Sequence, residues 1–460
     1  MLALALSLSL SLLLPIQAQA LSAVPTGGTS PNSADPAAAP VAPIPEPNIL
    51  VLLLDDIGVD KVGAYGEHRG AGPTPFMDLI ADHSVLFRHA WATPVCSPAR
   101  ATLLTGRHPF RHGVGNSMDP DDPPLADSEW TLAEALSEEG YRTAAIGKWH
   151  LAADDQPDPW RHAITWGGFE RHLGSFKNIG DYSNWIRNDA DSRGAVQEVT
   201  STYATSQVVD DALEVIEEFG GDPWFVWVAF QAVHKPLHVP PAHLHSQKNP
   251  VGSVQKYRAM AEAMDTEIGR LLTSLRPGTL ADTYVFVIGD NGTYADAITP
   301  PFGVSGGSKG SVKEEGINVP WLVYGPDVEA GERPALVSIV DLFPTVMDLV
   351  GARQPDVEQD GQSLARLLRT NSQEPLREAV YTERFQPNGV GGEKSLRLRT
   401  ARDHRYKLTI ERYPGMELER RMYDLQEDPF EQVSLLPVSQ LTPDQKVAYD
   451  SLIAVIASMN

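Results

Sequence analysis

The chain has 460 residues, 42% of them hydrophobic and 21% charged, with a formal net charge of -23 at pH 7. It is too long for one small core and fits a large catalytic unit with an appendage. The acidic balance argues against nucleic acid or an anionic membrane surface as the main partner, although a few clustered cations can still bind an anionic small molecule.

Residues 1–20 read as a signal peptide. The apolar run Leu2 to Leu14 is too short to span a bilayer comfortably, and Ala18-Gln19-Ala20 supplies a small-residue cleavage pattern. No Lys or Arg precedes Lys61, so the usual basic start is missing. The protein is expected to be exported, periplasmic or secreted, without stable membrane insertion. Residues 21–47 form a Pro/Ala-rich linker whose charged residues are Asp35 and Glu46.

Folded structure should begin at Asn48. Short apolar runs then alternate with helical patterns, which predicts a mostly parallel sheet sandwiched by helices. The clearest strands are Ile49 to Leu54, Tyr141 to Ile146, Trp224 to Phe230 and Tyr284 to Ile288. Helices are expected over Thr131 to Glu139 and Gln255 to Leu272. Each strand is followed by polar residues: Asp55-Asp56, Lys148 with His150, His234, and Asp290-Asn291. Ligands of open α/β sheets bind at the carboxyl ends of the strands. One such ending would be an ordinary turn; four together point to a shared site.

After about Leu368 the pattern changes. Ala379 to Glu383, Ser395 to Thr400 and Tyr406 to Ile410 read as strands of a meander, and Thr442 to Ser458 as a helix. The expected organisation is α/β: a catalytic domain over 48–368 and, over 369–460, a smaller antiparallel subdomain with a helix.

Cys96 is the sole cysteine, so an intramolecular disulfide is impossible, and a lone thiol in an exported chain calls for an explanation. The bland one is a small buried side chain. The neighbours, Cys96-Ser97-Pro98-Ala99-Arg100, point elsewhere. Pro98 suits the first turn of a helix, which places Cys96 at a helix N-terminus that favours anions, with Arg100 one turn on.

Cys96 to Arg100, continued by Leu103-Leu104-Thr105-Gly106-Arg107, resembles the signature of the sulfatases in the alkaline phosphatase superfamily. Further blocks follow the family's order: Asp55-Asp56-Ile57-Gly58, Gly147 to Leu151, His234 to Leu237, Gly289 to Gly292, Lys309-Gly310, Glu314 to Pro320 and Tyr423-Asp424-Leu425. The resemblance spans roughly 48 to 435 and narrows toward arylsulfatases acting on sulfated sugars. Asn318 departs from it, standing where the family often has Arg.

The resemblance implies that Cys96 is oxidised to formylglycine (3-oxoalanine) by a formylglycine-generating enzyme. It implies a calcium ion, or magnesium, held by Asp55, Asp56, Asp290 and Asn291 with the modified Cys96. Hard oxygen donors suit these ions rather than zinc. Arg100 and Lys148 would hold the aldehyde hydrate, with His150 as base for sulfate release. His234 and Lys309 would bind sulfate oxygens, one of them protonating the leaving oxygen. The substrate would be a sulfated small molecule or glycan. The sequon Asn291-Gly292-Thr293 is discarded, since a metal-site residue would be buried. Specificity should lie in loops, and 160–188 and 295–308 are the stretches expected to carry it. Two alternatives remain: a phosphodiesterase or phosphonate monoester hydrolase of the same superfamily, and a glycan-binding protein that has lost catalysis.

Overall fold

A computed structural model describes residues 46–67, 71–152, 159–354 and 356–459. The expected signal peptide and nearly all of the expected linker lie outside the described residues.

The strands in chain order are β1 (Asn48–Leu54), β2 (Val85–Trp91), β3 (Arg142–Lys148), β4 (Arg171–Ser175), β5 (Trp185–Asp191), β6 (Gly194–Thr200), β7 (Trp224–Ala229), β8 (Thr283–Gly289), β9 (Trp321–Tyr324) and β10 (Gly331–Ser338). They form a ten-stranded sheet in the order β10-β2-β9-β8-β1-β7-β3-β4-β5-β6. The central strands β8, β1, β7, β3 and β4 run parallel. Strand β9 is antiparallel to both its neighbours, and β5 and β6 finish the other edge as an antiparallel extension.

Strand β1 lies at the centre because its side chains are apolar on both faces. Ile49, Val51 and Leu53 enter one core, and Leu50, Leu52 and Leu54 enter the other. Each such side chain, fully buried, stabilises the fold by about 1.5–3 kcal/mol. The helix Ala204–Phe219 and the long helix Gly252–Ser274 pack on the second face. The helix Cys96–Thr105 and the helix Leu342–Val350 pack on the first. The expected helix over 131–139 is Leu132–Glu138, with Thr131 and Glu134 closing a capping box at its start.

A second sheet follows: β11 (Val380–Gln386), β12 (Leu396–Arg402), β13 (Tyr406–Arg412) and β14 (Glu419–Asp424), all antiparallel. The helix Pro443–Ser458 covers it through Ala448, Leu452 and Ile456. It docks on the large sheet through Val380 against Trp91, Ile317 and Leu336, and through Leu396 and Leu398 against Val312. The stretch 160–188, read as a loop, contains β4 and the start of β5, whose polar sequences carry no clean alternation. The stretch 295–308 is irregular apart from a short turn at Ala295–Ala297.

Candidate active site

The candidate residues converge beyond the carboxyl ends of β1, β3, β7 and β8. Asp55 and Asp56 follow β1 directly, and both are buried. Asp56 sits at φ 63°, and His150, just past β3, at φ 61°. A left-handed backbone at a non-glycine residue costs on the order of 1–3 kcal/mol and collects at functional sites. Gly147 prepares the turn into Lys148: its φ is +93°, and a Cβ there would lie 2.0 Å from the Ala229 carbonyl of neighbouring β7.

Cys96 opens its helix after extended Val95, with Pro98 in the first turn and Gly106 closing the helix at φ 67°. Its Sγ lies 3.4 Å from Asp55 Oδ1 and 3.9 Å from Asp56 Oδ1. Arg100 points back as expected. Its Nη2 donates to Asp55 Oδ2 and Asp290 Oδ2, both at 3.2 Å, and its Nη1 donates to the Lys148 carbonyl at 2.5 Å. The Lys148 ammonium donates to the same Asp55 oxygen.

Lys309 enters from the glycine-rich loop. Its ammonium donates to Asp56 Oδ1 and reaches Cys96 Sγ at 3.1 Å. The loop is pinned on both sides, by Lys309 N–H to the Thr293 carbonyl at 2.9 Å and Gly310 N–H to the Pro94 carbonyl at 2.7 Å. Asn291 donates to Asp56 Oδ1 at 2.9 Å, and Asp290 Oδ1 accepts the Asp56 N–H at 3.1 Å. Asn291 is buried, in keeping with discarding its sequon.

Three carboxylates thus share one buried space with Arg100, Lys148 and Lys309. Burial alone would raise the Asp55 carboxyl, but Lys148, His234, Arg100 and Lys309 hold it well below the usual carboxylate range. Burial and the Asp55 charge push Asp290 up to about 6. Burial pushes the Cys96 thiol up, with the charges of Asp290 and Asp55 adding to it. Burial lowers His150 well below its ordinary value, and Lys148 and Arg100 lower it further.

The donor set fits a hard cation. Asp55, Asp56, Cys96 and His234 each place a ligand atom within 4.8 Å of the others. Asp56 Oδ2 and Asn291 Oδ1 are buried with no hydrogen-bond partner among the described residues, acceptors open to a donor or an ion. His234 stands among the possible ligands, a ring nitrogen lying within 4.8 Å of the carboxylate oxygens.

Supporting residues went unnoticed in the sequence. Tyr257, on the long helix Gly252–Ser274, donates to the Asp56 carbonyl at 2.7 Å, and Tyr182 donates to the His234 carbonyl at 2.8 Å. Neither carries a local signal, because each acts through a hydroxyl brought in by tertiary packing. Asn318 uses its amide as an anchor: Oδ1 accepts the Ala90 N–H of β2 at 3.2 Å.

Comparison with known proteins places the chain in a family. The Sulfatase family profile matches residues 47–352. The chain belongs to the sulfatase family, whose members hydrolyse sulfuric esters. A second profile, N-sulphoglucosamine sulphohydrolase, C-terminal, matches residues 308–454 of this sulfatase. It is 33% identical to N-acetylgalactosamine-6-sulfatase of Homo sapiens over 354 residues, covering 70% of this chain and 66% of the human protein, just under two thirds of the latter. It is 31% identical to arylsulfatase G of Mus musculus over 421 residues, covering 79% and 75% of the two chains. Its fold is shared with crystal structures of Ps i-CgsB (TM-score 0.73, 23% identity, 90% and 92% of the chains) and of the PsFucS1 sulfatase from Pseudoalteromonas sp. (TM-score 0.71, 22% identity, 90% of each).

Proposed function

We propose that this sulfatase is an exported enzyme that removes sulfate from a sugar or glycan, using formylglycine made from Cys96. The observation that carries the reading is the position of Cys96 Sγ, 3.1 Å from the Lys309 ammonium and 3.4 Å from Asp55. A group there sits among cations that can hold a sulfate and beside carboxylates that can hold a metal. The sugar substrate is favoured by the relatives named above.

The hydrated aldehyde at position 96 has two hydroxyls. One gives its proton to Asp290 as its oxygen attacks sulfur and the bond to the departing alcohol oxygen breaks, and that oxygen takes a proton from His234 or Lys309. The second hydroxyl gives its proton to His150, whose Nδ1 is buried without a partner. The aldehyde reforms, the carbon–oxygen bond to the bound sulfate breaks, and sulfate leaves. Arg100 and Lys148, fixed on Asp55, hold the hydrate in place. When bound by Asp55, Asp56, Asp290, Asn291 and the modified residue, calcium or magnesium supplies charge that stabilises sulfate oxygens and favours an ionised hydroxyl.

The test combines mass spectrometry of the peptide containing residue 96 with turnover of nitrophenyl sulfate and nitrophenyl phosphate. An aldehyde at 96 and faster sulfate hydrolysis are expected. An intact thiol in fully active enzyme overturns the nucleophile, and preferential phosphate turnover overturns the substrate class.

A further inference from the structure

We infer that Arg384, on β11 of the small sheet, binds a second oxyanion of the substrate, a sulfate or carboxylate on the sugar beyond the sulfate being removed. This rests on the proposed sulfatase function and extends it to substrate choice.

The guanidinium is partly buried and held by neutral groups alone: Nε donates to Asn116 Oδ1 at 2.9 Å, and Nη1 donates to the Gly310 carbonyl at 2.8 Å. Among the described residues it has no carboxylate partner. Arg100 and Lys148 pair with Asp55, and Lys407 with Glu314 and Glu431. Arg333 is buried and held by backbone carbonyls, but Nε, Nη1 and Nη2 are all engaged there, whereas Arg384 has Nη2 left over. A partly buried charge without a counter-charge is unfavourable, and the cost persists where a ligand supplies the missing charge. Burial accordingly pulls the Arg384 pKa down, with only the distant influence of Tyr413 opposing it.

Its position gives that ligand an identity. Gly310, which Arg384 grips, is next to Lys309, whose ammonium touches Cys96 Sγ. Asn116, the other grip, lies two residues before Met118, whose N–H donates to Ser97 Oγ beside the nucleophile at 3.1 Å. Both grips therefore belong to segments that wall the site, and Arg384 projects between them from a separate sheet. In the proposed function the sulfate undergoing transfer is already provided for by His234 and Lys309. Nη2, which makes no hydrogen bond among the described residues, is left for an oxyanion on a neighbouring part of the same substrate.

The test is calorimetric titration of Cys96→Ala protein, which cannot turn substrate over. The probes are the 6-sulfates of N-acetylgalactosamine and N-acetylglucosamine and their counterparts carrying one further sulfate. In at least one series the doubly sulfated sugar should bind about 10- to 100-fold more tightly, the range of one charge-assisted contact. Adding Arg384→Gln should erase that gap and leave the monosulfate affinity near its original value. Arg384→Lys, which keeps the charge without the fork, should restore part of it. A monosulfated disaccharide bearing a uronic acid shows whether a carboxylate is accepted as well. Equal affinities for singly and doubly sulfated sugars would overturn the assignment. So would an equal loss for both in Arg384→Gln, which would make Arg384 a support for the Lys309 loop. If the protein with Cys96 hydrolyses no sulfate ester while the gap persists, the proposed function fails and the oxyanion site stands.

Discussion

Lys407 of β13 and Glu314 of the large unit meet in a 3.0 Å ion pair, and the same ammonium lies 3.0 Å from Glu431. Glu314 also pairs with Arg402 at 3.1 Å, and the Lys407 ammonium sits 5.0 Å from the centre of the Trp91 ring. Burial opposes the charge on Glu314, yet Lys407 and Arg402 hold its carboxyl down at about 2. The small sheet is thus fastened to the segment that follows the Lys309 loop by charges withdrawn from water.

Lys407→Met should therefore destabilise the protein by about 3–5 kcal/mol, because it takes the cation from buried Glu431 and leaves Glu314 with Arg402 alone. Urea denaturation measures this directly. A loss below about 1 kcal/mol would place the pair among weak surface contacts.

Glu383 gives a pH prediction. It is fully buried, accepts the Phe110 N–H at 2.8 Å, and burial pushes its carboxyl up to about 7 despite the nearby charge of Arg397. Its folded pKa lies above its unfolded one, so the native state binds more protons between the two. Stability from this group is present at low pH and declines as pH rises through that window, by roughly 3 kcal/mol in total. Glu383→Gln should remove this slope. Parallel stability curves for the two proteins from pH 5 to pH 8 would refute the assignment.

For the metal site, calcium at about 100 times its dissociation constant should stabilise chelator-treated protein by about 2.7 kcal/mol. Asp55→Ala should abolish both this thermal shift and turnover. A calcium shift that survives Asp55→Ala would move the ion elsewhere.

The proton roles separate by leaving group. His234→Ala and Lys309→Ala should hurt substrates with basic leaving groups by about two to four orders of magnitude more than activated aryl sulfates, if either residue donates the proton. His150→Ala should instead slow a step common to all substrates and let a covalent adduct accumulate. Rates across aryl sulfates of graded leaving-group pKa read both effects. A uniform loss in the His234 and Lys309 variants would leave them as sulfate binders only.

The four strands that carry the site were legible because their cores are continuous apolar runs, as in Ile49 to Leu54 and Tyr284 to Ile288. The meander was legible for β11, β12 and β13. Strand β14, Glu-Arg-Arg-Met-Tyr-Asp, escaped because its charges mask the alternation that pairing with β13 imposes. Strands β5 and β6 escaped because their faces invert the usual pattern: β5 buries Arg187 and Asn188 and exposes Ile186, and β6 exposes Val196 and Val199. At the site, the candidates Asp55, Asp56, Cys96, Arg100, Lys148, His150, His234, Asp290, Asn291 and Lys309 came from motif spacing. Tyr257 and Arg384 were not, since their contacts join segments more than 70 residues apart.

The side chain of Cys96 is only 1% exposed, walled by Asp55, Asp56 and Lys309. A second protein cannot grasp a residue so enclosed. On the proposed function, an enzyme that converts it must act while the chain is still open, which would make maturation a race between chemistry and folding. A molecule that closes with its thiol intact stays as it is until it unfolds, and a preparation would hold two permanent populations whose ratio records the timing of synthesis.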